Sequence, residues 1–502
     1  MRIDRLVLKN YRCFENLEIN FQNYLGDQLV NLHVLLAPNM TGKSAVLKAL
    51  RIVLGARLQK IKVNAAPSKS LNINTNEHRV IGSNPFSDKA REVIIEASCS
   101  SQKWHNGWSQ AHYVLKKYKE DYVETHTKIE HIEGNIVADA NSAFNRVIEK
   151  KDGVLPILLY VGTEYIHQQK AVTETLDQDG SAKQGYWYCL DDKSMEAYVF
   201  EWFKKLHKTQ LEQQRSLVAK ELYQSIAETT LATFKNAIKV ILPEIIDVDW
   251  VEDTTSKKTS SYFLVFNIKN QGVRTYEMLS DGYKYLVLLI GELVTRATLL
   301  NKHLDKSVLN IVNGVVLIDE FGIHLHPNLQ ADSLTRLSKL FPNIQFIVTT
   351  HSPLLINGLV KEQIYIISEN ETGGRQVDHP EDDAIGLGAE GILREMFNVD
   401  STFDDQSIAQ NEDYKQLLEK KKVEGLNLQE EERFKELGMH LSRFRLDPTL
   451  DINTRNPITE IVTQELGEKS KSFLKRSSFS KSDAESLEAN VKDILDELLK
   501  SE

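Results

Sequence analysis

The chain has 502 residues and a formal net charge of −10, with 41% hydrophobic residues; that length supports a large core plus an inserted or appended region, and the acidic balance argues against a protein coating nucleic acid over its whole surface. Cys13, Cys99 and Cys189 are widely separated and odd in number, which implies neither a disulfide framework nor a zinc set. No apolar run reaches the roughly 18 residues of a membrane span and no leader is read at the start, so the expectation is a cytoplasmic protein without membrane contact.

Leu32 to Leu36 is an apolar run that predicts a strand. It feeds APNMTGKS at 37–44, and the following SAVLKALRIVLGA has the apolar spacing of a helix. A strand, a tight loop and a helix N-terminus present free backbone N–H groups and a positive dipole end, which suits phosphate. Candidate phosphate contacts are Asn39, Thr41, Gly42, Lys43, Ser44 and Ala45, with Lys43 reaching the terminal phosphates and the Ser44 hydroxyl on Mg²⁺. Ala37 and Met40 stand where such loops commonly carry glycine. A side chain forced into φ > 0 is strained by roughly 1–2 kcal/mol, so slow turnover is an expectation.

Further along, REVIIEASCSSQ, YVLKKYKED and LPILLYVG read as strands, and 190–242 reads as a helical insert. Strands return in VDWVEDTTSKKTSSYFLVFNI, with TTSKKTSS as the turn. LSDGY at 279–283 opens a long apolar helix, so Ser280 and Gly282 again offer N–H groups and a hydroxyl to an anion. The same residues also suit a plain serine N-cap on a core helix.

VVLIDE at 315–320 is a buried parallel-sheet strand ending in two carboxylates. Asp319 is the candidate Mg²⁺ ligand and Glu320 the group that orients or deprotonates an attacking water. FIVTTHSP is a further apolar strand ending at His351, whose imidazole can bond a γ-phosphate. KEQIYIISENETGGRQVD predicts a strand and turn, 385–440 and 484–500 are charged with helical periodicity, and KSKSFLKRSSFSKSD between them reads as loose.

These four segments together resemble the ABC-type ATPase heads of the SMC, RecF and OLD group. The opening MRIDRLVLKNYRCFENLEINF is similar to the first hairpin of those heads, which places Arg12 near the nucleotide. LPILLYVGTEYIHQQK, GYWYCLDDKSMEAYVFEWFKK, IDEFGIHLHP and LGAEGILREMFNVDS narrow the likeness to bacterial proteins that include the ATPase subunit of the Septu anti-phage system and retron-associated ATPases. The resemblance implies an α/β fold: an ABC-ATPase head with a phosphate-loop mixed sheet, a helical insert and a charged helical C-terminal region. Its expected divisions are 1–190 and 243–384 for the head, 190–242 for the insert and 385–502 for partner docking.

It also implies Mg·ATP held between two copies in a head-to-head homodimer or higher oligomer. One copy would give Lys43, Ser44, Asp319, Glu320 and His351, the other Ser280 and Gly282. OLD relatives carry a TOPRIM nuclease, but no Asp-x-Asp follows His351, so cutting would fall to a separate HNH-type subunit. DNA is a further expected partner through Arg57, Lys60 and Lys62, Lys116, Lys117 and Lys119, or Lys204, Lys205 and Lys208. A RecF-like repair ATPase is the main rival. A transporter subunit is the weaker one, since its signature would stand closer to the phosphate loop.

Overall fold

The computed structural model describes residues 1–38, 40–58, 61, 73–74, 77–81, 92–103, 107–120, 123–124, 128–150, 152–167, 181–215, 226–253, 261–370, 373–399 and 404–442. Asn39, Lys60, Lys62, the 254–260 turn and the whole of 443–502 lie outside these, and with them the loose stretch and the last predicted helix. The chain divides into two compact units, Met1–Val399 and Asp400–Glu502.

In chain order the elements begin with β1 (Arg2–Tyr11), β2 (Phe14–Asn20), β3 (Tyr24–Leu25), β4 (Gln28–Leu29), β5 (Leu32–Leu36) and α1 (Lys43–Leu58). Then come β6 (Glu92–Lys103), β7 (Gly107–Glu120), β8 (Val123–Glu124), β9 (Lys128–Glu133), α2 (Ile136–Lys150) and β10 (Ile157–Val161). The middle holds α3 (Glu196–Arg215), α4 (Ile226–Ile241), β11 (Ile245–Asp253), β12 (Ser261–Ile268), β13 (Gly272–Thr275) and α5 (Asp281–Leu300). α6 (Val308–Ile311), β14 (Gly314–Ile318), α7 (Pro327–Leu340), β15 (Ile344–Thr349), β16 (Ile364–Glu369), β17 (Arg375–Asp378) and α8 (Gly388–Phe397) complete the first unit. The second holds α9 (Asp405–Val423) and α10 (Leu428–Ser442).

The central sheet has the order β10-β14-β15-β5-β16-β17, parallel throughout except for β17 against β16. β5, β10, β14 and β15 are buried at every residue, which is why they read as unbroken apolar runs with no alternation. Ligands in such sheets bind beyond the carboxyl ends of the strands. Here β14, β15 and β5 are adjacent, so their carboxyl ends bring Asp319, His351 and the phosphate loop to one edge. A second sheet, antiparallel, runs β2-β1-β6-β7-β8 with β9 also on β7. The three-stranded sheet β11-β12-β13 leads into α5.

α5 is apolar on all sides and is buried from Tyr285 to Leu300, as a core helix must be. α3 and α4 cover it: Phe203 and Phe234 stack at 4.3 Å, and both approach Gly291 of α5. Its two buried charges are paired: the Arg296 guanidinium bonds Glu292 and donates to the carbonyls of Gly185 at 2.8 Å and Trp187 at 3.0 Å. Glu292 also accepts from the Tyr165 hydroxyl in the turn after β10. A buried charge left without such partners would cost several kcal/mol.

α8 falls within the first unit, beyond the 384 boundary read from the sequence. In the second unit α9 and α10 form a hairpin in which Tyr414 and Phe434 stack at 4.7 Å. The Asp404 side chain caps α9 by accepting from Ser407 N at 3.0 Å. Among the described residues no helix is long and apolar enough to cross a membrane.

Candidate nucleotide site

A cleft of about 350 Å³ opens at the shared edge of the central sheet. Its lining includes Arg12, Met40, Gly42, Lys43, Ser44, Ala45, Glu320 and His351. Seven of the residues predicted from sequence thus meet in one place, together with Met40. α1 begins at Lys43, so its unpaired N–H groups and positive end face this cleft. Lys43 is buried and its Nζ donates to the Ala37 carbonyl at 2.6 Å and the Pro38 carbonyl at 3.4 Å. Burial holds the Lys43 ammonium below the ordinary lysine range, against the upward pull of Glu320 and Asp319.

The loop strain differs from the expectation at one position. Met40 is left-handed at φ +65° and 96% exposed, so its cost is not returned by contacts within the chain. Ala37 is not left-handed; the loop turns at Met40 and Gly42 instead. Gly42 sits at φ +106°, and a Cβ there would lie 2.4 Å from Phe14 Cζ and 2.6 Å from Cys13 Sγ. The β1–β2 turn is therefore pressed onto the phosphate loop, which only glycine permits. Thr41 closes the loop by donating its hydroxyl to the Pro38 carbonyl at 2.6 Å.

The acidic pair is ordered by a residue the sequence reading passed over. Thr349 Oγ1 donates to Asp319 Oδ1 at 2.7 Å and accepts from Glu320 N at 2.8 Å. The signal was present, two residues before His351 at the end of the same apolar strand. Ser44 Oγ also donates to Asp319 Oδ1 at 3.2 Å. Glu320 is left-handed at φ +54° and its Oε1 lies 3.2 Å from His351 Nε2. A hydroxyl and a carboxylate oxygen side by side are the hard donors that Mg²⁺ takes, so the residues present fit that ion. Cys13, also unforeseen, lines the cleft with Sγ 3.7 Å from the Thr41 carbonyl.

Ser280 and Gly282 do not line this cleft. Ser280 is the exposed N-cap of α5, and its side chain makes no capping bond. Gly282 is buried, and a Cβ on it would stand 2.7 Å from the His324 carbonyl. The turn is thereby packed against the loop that follows Glu320.

Of the predicted DNA clusters, only part lies within the described residues. Arg57 is 7% exposed and so is no surface phosphate contact. Lys116 pairs with Glu130 at 2.7 Å, Lys204 with Glu201 at 3.2 Å, and Lys208 Nζ lies over the Tyr262 ring at 5.5 Å.

Residues 1–356 match the family described as AAA ATPase domain. The chain belongs to this family. It carries an AAA ATPase domain over those residues. Among its relatives are the retron Vc95 probable ATPase of Vibrio cholerae, 37% identical over 25% of this chain and 23% of the relative, and the Septu protein PtuA of Bacillus mycoides, 34% identical over 24% and 16%. The chain thus spans under a quarter of the length of either of these two relatives. These relatives bear out the likeness to Septu and retron ATPases read from the sequence. A solved SMC head bound to the C-winged helix domain of ScpA is similar at 12% identity and a TM-score of 0.45, covering 76% of this chain and 98% of that one.

Proposed function

We propose that this ATPase binds Mg·ATP between two copies of itself and acts as a nucleotide-responsive scaffold for a separate nuclease subunit in anti-phage defence. The observation that carries the shared site is the position of Ser280: exposed, uncapped and outside its own chain's cleft. Lys43 and the first N–H groups of α1 would take the β- and γ-phosphates, with Arg12 at the cleft mouth. Ser44 and Asp319 would hold Mg²⁺, which when bound neutralises phosphate charge. Glu320 would orient the attacking water and accept its proton, with His351 at 3.2 Å to bond the γ-phosphate. The partner's Ser280 turn would close the far side.

The defence role rests on the Septu and retron names of the relatives, and the charged α9–α10 hairpin is the proposed docking surface for an HNH-type subunit. Slow hydrolysis is supported by the strained Met40 in the phosphate loop. The test is equilibrium binding of ATP with Mg²⁺ to the full chain. Lys43→Ala should abolish binding, and Glu320→Gln should retain ATP and accumulate a two-copy assembly seen by light scattering. Unchanged affinity in the lysine variant would sink the assignment of this cleft.

A further inference from the structure

The segment 77–79 belongs to none of the nucleotide motifs, yet it holds the turn that carries Arg12. Arg12 N donates to the Glu77 carbonyl at 2.7 Å, Arg79 N donates to the Asn10 carbonyl at 2.9 Å, and Tyr11 bridges to His78. The turn needs such support because Asn10 and Arg12 are both left-handed, at φ +53° and +52°. The Glu77 side chain is 5% exposed by residue and works on both sides of the junction. Its Oε1 accepts from Tyr11 Oη and from Arg12 Nη2, each at 3.3 Å, while Oε2 accepts from Asn74 N at 2.7 Å. Arg12 Nε is buried with no hydrogen-bond partner, and the guanidinium is held by its pairing with Glu77 together with the Tyr11 side chain.

We infer that Glu77 is a positioning residue for the nucleotide: by bonding the backbone and guanidinium of Arg12, it holds that cation at the cleft mouth, aimed at a polyphosphate. This rests on the proposed nucleotide site. An arginine on a flexible β-turn would spend much of its time in solvent. Anchored at Nη2, it keeps its remaining N–H donors in one direction, and a planar guanidinium recognises phosphate best when its orientation is fixed. Glu77 itself touches no nucleotide, so its effect passes through Arg12.

The experiment is a double-mutant cycle on the full-length chain, reading ATP affinity by equilibrium titration with Mg²⁺. Glu77→Gln, isosteric and able to keep the backbone bond to Arg12, should weaken ATP binding about tenfold, the scale of one lost charge-assisted contact. Arg12→Ala should weaken it at least as much. In the Arg12→Ala background, Glu77→Gln should then change the affinity little. A second readout needs no nucleotide: amide exchange of residues 10–13 should stay at the wild-type rate in Glu77→Gln, because the backbone bond to the Glu77 carbonyl persists, so that the affinity loss passes through the Arg12 side chain and not through opening of the turn; exchange that accelerates there would overturn the positioning role. Wild-type affinity in Glu77→Gln, or an equal loss with and without Arg12, would overturn the inference. Lys43→Ala in the same titration separates the two readings, because a loss there with none at Glu77 removes only the positioning role.

Discussion

Replacing Thr349 with valine tests how the acidic pair is held. The side chain is fully buried at the end of β15, and valine keeps its shape while deleting the hydroxyl. Two bonds disappear together, the 2.7 Å donation to Asp319 and the 2.8 Å acceptance from Glu320 N. Each bond contributes roughly 0.5–1.5 kcal/mol net, and the orphaned Glu320 N–H adds about 1–3 kcal/mol. Glu320 also loses the tether that sustains its left-handed backbone, whose strain is roughly 1–2 kcal/mol. Thr349→Val should therefore destabilise the chain by about 2–6 kcal/mol in urea unfolding, whereas Thr349→Ser should lose only a methyl group, about 1 kcal/mol. Turnover should separate the variants further. A displaced Glu320 should lower kcat by roughly ten- to a hundredfold in the valine variant, with ATP affinity nearly unchanged. A valine variant as stable and as active as the serine one would refute the reasoning.

Met40→Gly should stabilise the nucleotide-free chain by up to ~1 kcal/mol, because release of the left-handed strain exceeds the extra entropy glycine brings to the unfolded state; a clear loss in urea unfolding would contradict this. Gly282→Ala should cost about 1–3 kcal/mol, since the new Cβ meets the His324 carbonyl backbone and not a movable side-chain end. Arg296→Met with Glu292 retained should be among the most damaging core changes, roughly 3–5 kcal/mol, while the double change Arg296→Met, Glu292→Leu should recover much of that loss. A double variant no better than the single one would contradict the ion-pair explanation.

Strands β5, β14 and β15 were legible because strands buried on both faces must be apolar at every residue, and because each ends in residues that only the site requires. The phosphate loop was legible through the same local logic. Glu77 was not, since its importance arises from a chain reversal that brings it to Tyr11 and Arg12 across more than sixty residues. Arg57 misled in the opposite direction: its charge suggested surface, yet it lies on a buried stretch of α1. At Ala37 the loop pattern located the glycine-like positions but not which of them turn left-handed, and the backbone turns at Met40 and Gly42.

The sharing of one nucleotide between copies is tested most directly by mixing two inactive variants. Lys43→Ala removes the phosphate grip and Ser280→Arg blocks the opposing turn, so neither should hydrolyse ATP alone. In a two-fold assembly a mixed pair regenerates one complete site from the intact lysine of one copy and the intact serine of the other. With random pairing, about a quarter of wild-type turnover should return on mixing. A mixture that stays as inactive as its components, although light scattering shows that the copies associate, would mean that each chain completes its own site.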